Sequence, residues 1–299
     1  MSFTLNNGSK MPYMCVSTFS LTTPESMETL KISIEEHGYR CVDTCNESKN
    51  EEMIGTVLQD IFKRGKVSRK DMYISSKLLC DEKGDIQGAL KRCLKRLKLD
   101  YLDCYIIQWP ISYTGDSKKP TFTKIPMHVQ WRHMEECVKQ GLTRSIGVSN
   151  FNFQLLNDLL SYAEIKPVCN QIELHPYCPQ TCFVEWMKSE KILPISYNTM
   201  GGSLTIIEKS NSPMFDPVIS KIADSRKLSP ASICIAFEIS RGCAVMVKTS
   251  HLDRSKSNME SSLMKLTEEE KTSLTHLNKC CRATEPTKMG IFGGAPIFG

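Results

Sequence analysis

Gly38-Tyr39-Arg40-Cys41-Val42-Asp43-Thr44-Cys45-Asn46-Glu47-Ser48-Lys49-Asn50-Glu51-Glu52 is the stretch that decides the fold. Gly38 marks a turn, Cys41-Val42 is the apolar middle of a short strand, and Asp43 is a carboxylate at its end. Asn50 followed by two glutamates reads as a helix start: an amide at the N-cap, then acids where the helix dipole favours negative charge. Asp43 therefore stands where a strand hands over to a helix. In a barrel of alternating strands and helices, that rim is where catalytic groups sit.

The same unit recurs along the chain. Apolar strand-like segments are expected at 13–17, 40–43, 72–76, 101–107, 144–148, 168–172, 193–196 and 244–247. Helices with apolar residues three and four apart are expected at 24–36, 51–62, 86–97, 128–140, 153–162, 181–189, 216–224 and 230–239, with a late helix over 263–278. Parallel strands need crossover connections, usually helices, so eight such units predict an α/β fold, a (β/α)8 TIM barrel. Ahead of them, Asn6-Asn7-Gly8-Ser9 between two short apolar segments predicts a β-hairpin that closes one end. A Rossmann sheet is the structural rival, but no Gly-x-Gly-x-x-Gly stands at an early strand-to-helix turn. No low-complexity linker divides residues 1–299, which read as a single domain.

Composition sets the class. The chain has 299 residues, 40% hydrophobic and 24% charged, in the range of one globular barrel with extended loops. Its net charge of +5, from 38 basic and 33 acidic residues, is spread without a basic block, so neither a nucleic acid nor a membrane is an expected partner. The opening Met1-Ser2-Phe3-Thr4 lacks a basic region followed by an apolar core, and a cytoplasmic location is expected. The 14 cysteines are scattered singly and read as reduced, buried thiols; no pair among them is completed into a zinc site, and no metal is expected.

Gly-Tyr-Arg-x-Val-Asp-Thr with Asn-Glu-Glu beyond it resembles the signature of the aldo-keto reductases, NADPH-dependent carbonyl reductases such as aldose reductase. Hydride transfer to a carbonyl leaves charge on oxygen, which calls for a proton donor and hydrogen-bond donors aimed at that oxygen. The resemblance assigns Asp43 and Lys77 (in Ile74-Ser75-Ser76-Lys77-Leu78) as an ion pair that tunes the donor. It places Ser48 where the family has its proton-donating tyrosine, and Gln108, before Trp109-Pro110, where the family has histidine. An amide can donate a hydrogen bond but cannot share a proton. Glu47, beside the missing tyrosine, could be a desolvated acid or a solvated loop residue; Cys45 could be a reactive thiol or a packing one.

The cofactor residues follow the family more closely. Val247-Lys248-Thr249-Ser250 with Arg254 and Asn258 is similar to the clamp on the 2′-phosphate of NADP(H), a lysine, a hydroxyl and a guanidinium suited to a phosphate. Ser149, Asn150 and Gln171 lie in segments similar to those that hold the nicotinamide carboxamide, and Tyr197 matches the residue stacked beneath that ring. Asn198-Thr199-Met200 replaces the Ser-Pro-Leu that follows it. Thr18 lies in Met14-Cys15-Val16-Ser17-Thr18-Phe19, similar to a glycine-containing segment beside the cofactor.

The resemblance implies an NADP(H)-binding oxidoreductase, a monomer that reduces aldehydes or ketones and is slowed by Ser48 and Gln108. The alternative is an inactive NADP(H)-binding pseudoenzyme with a redox-sensing or structural role. The apolar, glycine-rich tail at 289–299 either docks over the barrel mouth or hangs free.

Overall fold

The computed structural model describes residues 1–202, 208 and 211–298; Gly299, the last residue of the tail, lies outside them. β1 (Ser2–Thr4) and β2 (Lys10–Pro12) form an antiparallel hairpin in which Phe3 faces Met11. Gly8 makes its turn with a φ of 83°, a conformation open to glycine. β3 (Met14–Ser17) leads to α1 (Pro24–Glu35), β4 (Cys41–Asp43) to α2 (Glu51–Arg64), and β5 (Tyr73–Leu78) to α3 (Ile86–Leu97). After β6 (Cys104–Ile107) the long loop carries a small hairpin, β7 (Tyr113–Thr114) with β8 (Thr121–Phe122), before α4 (Met127–Lys139). Then β9 (Ile146–Ser149) precedes α5 (Phe153–Tyr162), and β10 (Cys169–Glu173) precedes α6 (Thr181–Ser189). β11 (Leu193–Tyr197), α7 (Pro217–Arg226), α8 (Pro230–Ser240) and β12 (Ala244–Val247) follow. α9 (Leu252–Ser261), α10 (Glu268–Thr275) and the short α11 (Pro286–Met289) complete the order.

Strands β3, β4, β5, β6, β9, β10, β11 and β12 close, in that order, into one parallel barrel. Helix starts are written in short polar side chains. Thr23 caps α1 and forms a capping box with Ser26, and Asp216 and Ser229 cap α7 and α8, each with proline at the first helical position. Asn50 is the N-cap of α2 by position, as the sequence suggests, but its side chain does other work. Its amide donates to the carbonyls of Thr18 (2.8 Å) and Leu21 (2.9 Å), tying the β3 loop to the start of α2. Glu51, behind it, is buried against Arg96 of α3 at 2.8 Å.

The core has two layers. Alternate strand residues such as Val42, Ile74, Tyr105 and Val148 face the helices, while Cys41, Tyr73, Cys104, Cys169 and Met246 fill the barrel. Gly147 is needed inside, because a Cβ there would stand 2.5 Å from the Cys169 sulfur. No described helix is long and apolar enough to cross a membrane.

One expectation needs correction, and one element was not foreseen. The late helix expected over 263–278 is only α10, since its start is set by the capping box of Thr267 and Glu270, and Glu270 pairs with Arg226. The segment that carries Arg254 and Asn258 is a helix, α9, which the clamp resemblance did not announce.

Candidate active site

The pleat places the site. On β4, Cys41 points into the barrel and Val42 out toward the helices, so Asp43 points in again at the C-terminal rim. On β5 the same alternation through Tyr73 and Ser75 brings Lys77 inward one register step higher.

Asp43 is buried and its Oδ2 pairs with the Lys77 ammonium, while its Oδ1 accepts a hydrogen bond from Ser75 Oγ at 2.8 Å. Lys77 Nζ also reaches the Thr44 carbonyl at 3.4 Å. Burial alone would lower the Lys77 pKa, but the charge of Asp43 and its hydrogen bond outweigh that and hold it above its ordinary value. The cation is therefore kept, and it is already engaged.

Ser48 and Gln108 are both engaged by neighbouring loops. Ser48 Oγ accepts the backbone N–H of Ser20 at 2.9 Å, a bond that ties the 46–48 turn to the β3 loop. Among the described residues, no hydrogen bond joins Ser48 to Lys77 or Asp43. Gln108 Nε2 donates to Glu47 Oε2 at 2.7 Å. Glu47 is exposed, and its Oε2 accepts that bond. Cys45 is buried, and burial pushes its thiol up to about 12, the state of a packing cysteine rather than a nucleophile.

The residues expected at the nicotinamide do converge. Ser149, Asn150 and Gln171 are buried together at the ends of β9 and β10. Ser149 Oγ donates to the Gln171 carbonyl at 2.8 Å, and Asn150 Nδ2 donates to the Gln108 carbonyl at 2.9 Å. Tyr197, at the end of β11, donates its hydroxyl to Asn150 Oδ1 at 2.6 Å, and burial holds its phenol well above its ordinary pKa. Asn198 adopts a φ of 51° and donates to Thr284 Oγ1 at 2.8 Å. Met200 is half-buried against the core, and Thr18 is wholly buried with its hydroxyl on the Asp43 carbonyl at 3.2 Å.

The clamp residues divide. Lys248 and Arg254 are exposed, and neither forms an ion pair among the described residues; the Lys248 ammonium lies 5.9 Å from the Phe19 ring centroid. Thr249 is buried and its Oγ1 accepts the His251 N–H at 3.0 Å, closing the turn into α9. Asn258 is buried on the inner face of that helix.

Several contributors escaped the sequence reading. Ser75, which orients Asp43, was detectable as the inward position two residues before Lys77. Glu173 is completely buried, accepting from His175 Nε2 (2.9 Å) and from the backbone N–H groups of Ala283 (2.6 Å) and Thr284 (2.7 Å). Burial would raise its pKa; His175 and the two amides outweigh that and lower it. These bonds strap the segment after α10 across the ends of β10 and β11, and no local pattern announces them. The tail docks: Phe292 packs edge-on to Trp109 at 5.4 Å, and the Arg282 guanidinium lies 3.7 Å from the centroid of the Phe298 ring. Beneath it, the buried Lys83 donates to the Trp109 carbonyl at 2.5 Å.

Comparison with known proteins agrees with this architecture. The model of the Aldo/keto reductase family matches residues 17–279. Prostaglandin F synthase 1 of Bos taurus is 34% identical over 296 residues, covering 93% of this chain and 91% of that protein. Aldo-keto reductase family 1 member C2 of Homo sapiens is 32% identical, covering 98% and 95%. The crystal structure of an aldo-keto reductase of the silkworm, Bombyx mori, superposes with a TM-score of 0.88 at 28% identity, covering 96% of this chain and 90% of that one. The aldose reductase of Schistosoma japonicum gives 0.88 at 27%, covering 97% and 96%. A closed eight-strand parallel barrel with an amino-terminal hairpin, matched along nearly its whole length, thus belongs to the aldo/keto reductase family of oxidoreductases.

Proposed function

We propose that this protein binds NADP(H) at the barrel mouth and reduces aldehydes or ketones slowly, as a cytoplasmic monomer whose 299 residues form one domain. The observation that carries the reading is the contrast between the two sides of the site. The coenzyme side offers Lys248 and Arg254 as exposed cations without carboxylate partners among the described residues, and the buried Ser149, Asn150 and Gln171 with the half-buried Tyr197 hydrogen-bonded to Asn150. That donor set suits a coenzyme with a phosphate at one end and an amide at the other. Thr18, Asn198 and Met200 complete the coenzyme residues by position, and Thr249 and Asn258 set the turn and helix that present the two cations.

When bound, the reduced coenzyme supplies the hydride. The chain's own part is to place the carbonyl and meet the charge that develops on its oxygen. Gln108 can donate one hydrogen bond to that oxygen once it releases Glu47, and the Lys77 ammonium supplies positive charge nearby. Among the described residues no hydrogen bond joins a phenol or an imidazole to Lys77, so that proton comes from water, from Glu47 or from Lys77 itself. General acid catalysis is worth roughly 10²- to 10⁴-fold, and turnover is depressed by that order.

The second reading, an NADP(H)-binding pseudoenzyme that reports the coenzyme state to a partner, is favoured by the bonds that engage Ser48 with Ser20 and Gln108 with Glu47. Fluorescence titration with NADPH, followed by long-time assays on a panel of aldehydes, separates them. Tight binding with turnover lost in Glu47→Gln supports the slow reductase with a relocated acid, and tight binding with no turnover supports the pseudoenzyme. Absence of NADPH binding defeats both.

A further inference from the structure

At the end of the barrel opposite the candidate active site, the hairpin β1–β2 roofs a cavity of about 440 Å³. Lys10 reaches it from the hairpin, Arg40 from the turn before β4, Lys70 from the turn before β5, and Arg144 from the turn before β9. Two carboxylates, Asp71 and Asp103, share the lining.

The charges are not balanced. Asp103 is already satisfied by Arg69 at 2.7 Å, by the Ile74 N–H at 2.9 Å and by Arg144 at 3.5 Å. Asp71 uses one oxygen on Ser68, leaving the other without a bond among the described residues. Lys10 and Lys70 form no ion pair among the described residues. Four cations line the cavity against two carboxylates, and an anion placed there offsets the excess positive charge.

The guanidinium groups are held in place beforehand. Arg40 Nη1 donates to the carbonyls of Ile34 (2.7 Å) and Tyr39 (2.9 Å), and Arg144 lies 4.1 Å from the centroid of the Tyr101 ring. Such fixed guanidinium forks match phosphate oxygens at little entropic cost. The volume falls in the range of small-molecule sites and could hold on the order of ten waters at about 30 Å³ each, more than one inorganic phosphate fills. The free oxygen of Asp71 accepts hydrogen bonds, which suits hydroxyl groups.

We propose that this cavity binds a phosphorylated, hydroxyl-bearing small molecule of the sugar phosphate class, at a site separate from the coenzyme. The test is titration calorimetry of the full chain at low ionic strength with glucose 6-phosphate, glucose and inorganic phosphate, each with and without saturating NADPH. The expected result is one equivalent of glucose 6-phosphate bound, inorganic phosphate at least tenfold weaker, glucose alone silent, and no competition from NADPH. The exposed pair Lys10→Gln with Lys70→Gln should weaken binding at least tenfold while thermal unfolding is unchanged. Displacement by NADPH, equal affinity for inorganic phosphate, or a double variant that binds as the parent does would each overturn the proposal, as would no binding at all. Failure of NADPH itself to bind would defeat the function proposed above and leave this site standing.

Discussion

Replacing Lys77 by methionine removes the cation from a pair in which Asp43 is 3% exposed and the lysine side chain 10%. Methionine matches the length of the stem, so packing is nearly conserved and the loss is electrostatic. Asp43 then keeps only Ser75 Oγ and becomes a buried, uncompensated charge, which costs about 3–5 kcal/mol. At roughly 2–4 °C per kcal/mol for large domains, the midpoint of thermal unfolding should fall by on the order of 10 °C. In the double variant Asp43→Asn with Lys77→Met, the asparagine still accepts from Ser75 and no charge is stranded, so most of the loss should return. The pH dependence has a definite sign. Lys77 is raised in the folded state, so its stabilisation is complete below the ordinary lysine pKa of about 10.4 and disappears as pH rises through the folded value. Urea unfolding at pH 7 and at alkaline pH reads all three. A neutral Lys77→Met variant, or a double variant as unstable as the single one, would refute the argument.

Three further outcomes are expected. Ser48→Tyr with Gln108→His should raise aldehyde turnover by about 10²- to 10⁴-fold in steady-state assays, the range of a restored general acid; an unchanged rate would show that the pocket no longer seats a carbonyl against Lys77. Lys248→Met with Arg254→Leu should weaken NADPH by about 1.5–3 kcal/mol per lost charged bond and leave NADH nearly unchanged in a fluorescence titration, whereas equal losses would place the phosphate elsewhere. Burial holds Lys83 down to about 8, so the folded state disfavours its charge, and stability should rise as pH climbs from about 8 toward 10.4. Lys83→Met should therefore stabilise the protein near pH 7 by up to about 3 kcal/mol, less the Trp109 hydrogen bond, and the gain should vanish by pH 10 in denaturant titrations.

The barrel was legible because its signals are local. Each strand is a short apolar run, and several helices begin at a serine, threonine or aspartate beside proline or an acid, as at Thr23, Asp216 and Ser229. Asp43 was legible as a carboxylate at a strand end, while Lys77 was reached through the family resemblance. The partners of Ser48 and Gln108 were not. Residue type says that serine is a poor acid, but only the folded loops show that its oxygen takes the Ser20 N–H from a segment 28 residues away. The strap on Glu173 spans 110 residues to Ala283 and leaves no periodic trace. α9 was obscured because the Lys248-to-Asn258 spacing read as a phosphate clamp, and a polar helix shows little apolar stripe.

The Ser20 bond bears on whether the chemistry can be recovered. Ser20 adopts a φ of 58°, in the left-handed region, and the Ser48 oxygen holds its N–H there. Tyrosine at position 48 cannot both reach Lys77 and accept that N–H, so the change removes one tie on the β3 loop. The loop remains pinned by Asn50, whose amide holds the carbonyls of Thr18 and Leu21 on either side of Ser20. Ser20 is exposed, so water can replace the lost acceptor and the penalty stays near the 0.5–1.5 kcal/mol of an ordinary hydrogen bond, roughly. Exchanging serine for tyrosine at position 48 is thus a local rewiring of one loop on an intact barrel. Removing either Lys77 or Asp43 strands a buried charge, so the pair holds the rim whether or not a proton donor stands beside it.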